Sequence, residues 1–136
     1  SHVFAFNKAQ MYAGATSAQS VKYNVGNGHF TLQPAKIKGV GMGGWPTDAN
    51  EPHYFVNAAY GNASTLYVWA FADPWGSPSF SQVGTVSVNG YQLPINSPQN
   101  GGSALQGNDN RLLDLEYWNG KLWKTHDIGC NWTHRP

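Results

Sequence analysis

Along this chain hydrophobic residues alternate with polar ones over short stretches and almost never recur at helical spacing. No window carries apolar residues at i, i+3, i+4 and i+7 for long without a glycine or proline break. The best helical stretch, Asn7 to Tyr12, is a single turn. Strand signals recur instead. Val3-Phe4-Ala5-Phe6 and Ser20 to Val25 are alternating runs, the second closed by Gly26-Asn27-Gly28. Phe30-Thr31-Leu32 is a shorter run that stops at Pro34. His53 to Ala59 and Thr65 to Phe71 predict a hairpin around Tyr60 to Ser64. Val83 to Val88 leads into Asn89-Gly90, and Tyr91 to Ile95 predicts the returning strand. Residues 39–52, 73–78 and 96–110 are breaker-rich loops.

The last hairpin, LLDLEYWNGKLWKTH at 112–126, can be placed in register. Asn119-Gly120 suits a type I′ turn, in which both central residues need positive φ. A two-residue loop then sets Trp118 opposite Lys121, Tyr117 opposite Leu122, Glu116 opposite Trp123 and Asp114 opposite Thr125. One face carries Leu113, Leu115, Tyr117 and Leu122, ending in Lys124 and His126. The other carries Leu112, Asp114, Glu116, Trp118, Lys121 and Trp123. The first predicts core and the second a wet, aromatic surface. With turn signals at this spacing the expected class is all-β, antiparallel hairpins forming propeller-blade-like sheets, with a small β-sandwich as the alternative. Residues 1–136 are expected to form a single all-β domain or a two-blade piece of a propeller. Crossover helices for a parallel α/β fold are missing.

Composition sharpens the picture. Only 11% of residues are charged, against about 25% in an average soluble domain. Polarity comes from Asn, Gln, Ser, Thr and 16 Gly, while aromatics reach 14%. That mixture fits a β-rich secreted or extracellular protein. The net charge is +1 and the eight Lys and Arg are scattered, so nucleic acid is not the expected partner. No apolar run approaches the ~18 residues of a membrane span. Cys130 is the single cysteine, which leaves no intrachain disulfide framework. Asn62-Ala-Ser64 and Asn131-Trp-Thr133 are glycosylation sequons, a type that arises easily by chance in an Asn-rich chain.

The chemistry-bearing residues are few. Asp114 and Glu116, two apart on a strand, share a face at a Cα separation of roughly 6–7 Å, a spacing that suits glycoside hydrolysis. The competing reading is a solvated face balanced by Lys121 and Lys124. His126, Cys130 and His134 supply metal-ligating types, but structural zinc wants four ligands and often paired Cys-x-x-Cys knuckles. They read as scattered strand ends, and neither metal nor cofactor is expected. Cys130 lacks a surrounding that would make it a nucleophile, and an intermolecular disulfide is its minority reading. His53 reads as a capping or surface histidine. The GVGMGG run at 39–44 lacks the Lys-Ser/Thr of a phosphate loop. Trp45, Trp75, Trp118, Trp123 and Trp132 lie in loops or on the wet hairpin face. Such rings pack cores first, anchor protein partners second and stack on sugars third.

The succession VFAFNKAQMYAG, FTLQPA, PHYFVN, TLYVWAF and GNDNRLLDLEYWNGKLWKTHDIG resembles a section of large secreted bacterial β-propeller-like proteins, many sialidase-like in shape. The resemblance implies blade-like sheets, and a chain this long holds about two, too few to close a ring of roughly four to eight. It carries no catalytic residues over. Sequence thus predicts a secreted, non-enzymatic binding or assembly protein that uses exposed aromatic surfaces and open sheet edges. A protein partner or self-association is expected and a glycan is a further candidate ligand. The alternatives are a glycan-active hydrolase using Asp114 and Glu116, and a carbohydrate-binding module using Trp118 and Trp123.

Overall fold

The computed structural model describes residues 1–37 and 51–129. Trp45, the 39–44 glycine run, Cys130, the Asn131 sequon, Trp132 and His134 lie outside the described residues. In chain order the elements are β1 (His2–Phe6), α1 (Lys8–Tyr12), β2 (Ser20–Asn24), β3 (Gln33–Pro34) and β4 (Lys36–Ile37). They continue with β5 (His53–Ala58), β6 (Ala63–Ala72), β7 (Ser79–Tyr91), β8 (Leu112–Trp118) and β9 (Lys121–His126). The all-β expectation holds. The one described helix is the expected single turn, begun by Asn7, whose side-chain oxygen accepts from the Gln10 amide at 3.2 Å.

The strands form three sheets, ordered β1-β2, β3-β5-β6-β7 and β4-β8-β9, none of them closed. All pairings are antiparallel except β4 with β8. The four-stranded sheet is the middle layer, because both of its faces are apolar. Val56, Ala58 and Leu66 face one way and pack with Leu112, Leu115 and Tyr117 of β8. Phe55, Trp69 and Phe71, offset by one residue, face the other way and pack with Val3 of β1. Burial on both faces explains why β5 and β6 are near-continuous apolar runs. Gln33 to Ile37 stitch two layers together. Gln33 and Pro34 pair with Val56 and Phe55 of the middle sheet, while Lys36 and Ile37 pair with Glu116 and Tyr117 of the C-terminal one. The crossing point, Ala35, is 3% exposed. A strand that changes sheets in this way makes the corner of a packed pair of layers.

Three sequence expectations are corrected. Asn89-Gly90 does not turn the chain: β7 runs through it, and neither residue has positive φ. The pairing steps from Ala63–Tyr91 to Thr65–Ser87, so residues 88–90 bulge out of the ladder, a place where glycine is tolerated for want of a side chain. Phe30 to Leu32 is not a strand; Thr31 has φ 52°, and pairing starts at Gln33. In the last hairpin the register from Trp118 to Asp114 is as expected, and Asn119 and Gly120 have φ of 48° and 72°. Beyond Asp114 it slips, since Leu112 rather than Leu113 pairs with His126. Leu113 is the bulged residue and is 52% exposed, while Leu112 turns into the core at 2%. The faces proposed for these two leucines are therefore exchanged.

Candidate functional site

Beside β1 lies a cleft of about 960 Å³. Its floor includes Phe55, Phe71, Leu32 and Pro34; one wall is β1 itself, and the opposite rim is the β6–β7 turn with Trp75. Apolar and polar atoms contribute comparably to its lining, and its volume is within the range of small-ligand sites.

The turn that carries Trp75 is fixed by Asp73, which has φ 43°. Its carboxylate accepts from the Gly76 amide at 2.9 Å and from the Ser77 amide at 2.6 Å. A Cβ on Gly76 would stand 2.4 Å from that carboxylate, so glycine is what lets Asp73 fold inside the turn. Trp75 is left 42% exposed. Glu51 lines the cleft and its Oε1 accepts from the Tyr117 hydroxyl at 2.6 Å. That bond, with burial, pushes the Tyr117 phenol up to about 12. His53 also lines the cleft, its ring edge-on to Phe55 at 5.2 Å, and burial lowers its pKa. It is a lining residue of the cleft, which the reading of it as a cap or surface histidine missed. Glu51 and Asp73 escaped sequence reasoning altogether, since both are isolated acids in breaker-rich segments.

The wet hairpin face forms as expected. Asp114, Glu116 and Trp123 line a shallow groove of about 290 Å³ with Lys124 and Thr125. Trp123 is 59% exposed and Trp118 37%. Asp114 has structural duties: it forms an ion pair with Lys36 at 2.8 Å across the β4–β8 pairing, and it accepts from the Leu115 amide at 2.9 Å. The structure thus brings Asp114, Glu116 and Trp123 together in one groove, while Trp75 lines the separate cleft.

His126, the described member of the candidate metal set, packs edge-on to Tyr91 at 5.0 Å. Its Nε2 lies 3.1 Å from the Lys124 ammonium, and its buried Nδ1 has no hydrogen-bond partner among the described residues. Burial first and the Lys124 charge second lower its pKa. Among the described residues no group of three potential ligands converges on a metal site, and no helix is long and apolar enough to cross a membrane.

Two histidines held below their ordinary pKa give the fold a directed response to acid. The unfolded chain takes up protons at about pH 6.5, while folded His53 and His126 resist them. Their contribution is intact at neutral pH and is lost as pH falls below about 6.5 toward the folded values. The expected result is a melting temperature that drops between pH 7 and 5, with a smaller drop in a His53→Gln/His126→Gln variant. A melting temperature that rises over that interval would contradict this.

Comparison of the chain with protein-family models, with curated proteins and with solved structures finds no match.

Proposed function

We propose that this chain is a secreted, non-enzymatic binding protein that receives its partner in the cleft beside β1. The single observation that carries this reading is the 960 Å³ cleft, lined by apolar and polar groups alike, with Trp75 exposed at its rim. Amphipathic rings at the mouth of such a cavity are efficient anchors, because they contribute large contact area with little conformational freedom to lose. The sparse charge and high aromatic content support placement outside the cell, as does the resemblance of the hairpin pattern to secreted propeller-like proteins. A blade-like role for the four-stranded antiparallel sheet belongs to the same reading. The hydrolase alternative is weakened by the use of Asp114 as the partner of Lys36.

An array of peptides and glycans probed with the wild-type chain, Trp75→Ala and Trp123→Ala tests the proposal. Binding that is lost in Trp75→Ala and kept in Trp123→Ala is the expected outcome. Loss confined to Trp123→Ala transfers the function to the hairpin face, and an array blank for the wild type sinks the binding reading.

A further inference from the structure

Open strand edges pair with other chains unless something guards them, and lysines, prolines and bulges are the usual guards. The described edges differ in this respect. Strand β9 carries Lys121 and Lys124, β7 is interrupted by irregularities at Val83 and at 88–90, β3 contains Pro34, and β2 carries Lys22. Strand β1, with the sequence HVFAF, has no lysine, no proline and no bulge in its register with β2. It is also the edge that walls the cleft along its whole length, from His2 to Phe6.

The direction of its backbone groups follows from the flanking bonds. The Val25 amide donates to Ser1 O, and the Asn7 amide donates to Gln19 O, both at 2.9 Å. In an antiparallel pair, bonded residues alternate, so Val3 and Ala5 also turn their N–H and C=O toward β2. Those of His2, Phe4 and Phe6 point to the open edge. Among the described residues no strand pairs with that edge, and the cleft lies along it with Phe55 and Phe71 in its lining. At about 3.4 Å per residue it suits a ligand of five or six extended residues. Among the described residues, the Asp, Glu, Lys and Arg side chains that line it are Glu51 and Asp73, with no Lys or Arg.

We propose that the cleft takes an extended polypeptide segment of another protein, apolar along one face and carrying Lys or Arg at its ends, which adds as a third strand beside β1. This rests on the cleft being the binding site and adds the class of partner and its mode. Main-chain pairing to His2, Phe4 and Phe6 supplies affinity, alternate side chains settle on Phe55 and Phe71, and the terminal cations meet Glu51 and Asp73.

The probe is a capped peptide Lys-Val-Thr-Val-Thr-Val-Lys titrated into the protein by NMR. Two companions have Glu in place of both Lys, or N-methyl groups on the alternate amides of one strand edge. The Lys peptide is expected to shift the amides of His2, Phe4 and Phe6. N-methylation on the pairing edge is expected to weaken binding by about tenfold or more, the loss of two main-chain bonds. The Glu peptide should bind more weakly as well. Phe4→Pro removes an outward N–H without touching the β2 pairing and should abolish binding, while Phe4→Ala should retain it. Affinity equal to that of the Lys peptide for the N-methylated peptide or the Glu peptide, or undiminished binding to Phe4→Pro, overturns the inference, and so does absence of binding at millimolar peptide. A glycan that binds in a Trp75-dependent way while the Lys peptide does not would overturn the strand-addition mode alone and leave the cleft as the site. Dimerisation that the Lys peptide fails to reverse would assign the edge to a second copy instead.

Discussion

Replacing Trp69 with alanine is expected to destabilise the fold by about 4 kcal/mol, within the range of roughly 3–5 for large aromatic truncations. Trp69 is 8% exposed and stacks on Phe80 at a centroid distance of 5.4 Å, with His29 edge-on at 4.7 Å. It joins Phe55, Phe71 and Val3 in the core under the N-terminal layer. Its indole N–H also donates to Asn57 Oδ1 at 2.9 Å, and Asn57 is 1% exposed. Truncation removes the ring and strands a buried amide oxygen together. Trp69→Phe separates the two effects, since it keeps an aromatic ring and loses the donor; it should cost about 1–3 kcal/mol. Urea unfolding followed by circular dichroism measures both. Against a total stability of about 5–15 kcal/mol, the alanine variant should be partly unfolded well below the wild-type midpoint. A Trp69→Ala cost under about 1 kcal/mol would mean that this core does not hold the layers together.

The second large effect is a contrast between neighbours. Leu112→Ala should cost about 2–5 kcal/mol, while Leu113→Ala should stay within about 0.5 kcal/mol. Leu112 is 2% exposed among Leu66, Tyr91 and Leu115, and Leu113 is 52% exposed. Had the hairpin kept strict alternation past Asp114, the two costs would be reversed. Matched urea curves for the pair report directly which leucine the bulge turns inward.

That contrast also marks where the sequence stops being legible. The turn at Asn119-Gly120 sets the register next to it, because two residues with positive φ leave the flanking strands one way to pair. Nothing local distinguishes Leu112 from Leu113, so only the shape of the core across the layer decides which is buried. The same dipeptide at Asn89-Gly90 misleads for a related reason. Pairing along most of β6 holds β7 extended, and local turn preference yields to that ladder. The all-β class and the wet face with Asp114, Glu116, Trp118 and Trp123 were readable from alternation alone. The cleft was not, since its lining comes from β1, residues 32–34, 51–55 and 71–75, which no window of sequence joins. Trp75 was singled out for its place in a loop, and only the fold connects it with His53 and Glu51.

The corner at Ala35 has a consequence for the order of assembly. Lys36 and Ile37 find their partners on β8, near the other end of the described chain. During synthesis the middle sheet can be built from β3, β5, β6 and β7 while Val56, Ala58 and Leu66 still face water. Contacts so distant along the chain close slowly. The face formed by Val56, Ala58 and Leu66 is therefore closed only by residues synthesised about fifty positions later, and β8 is the element that covers it.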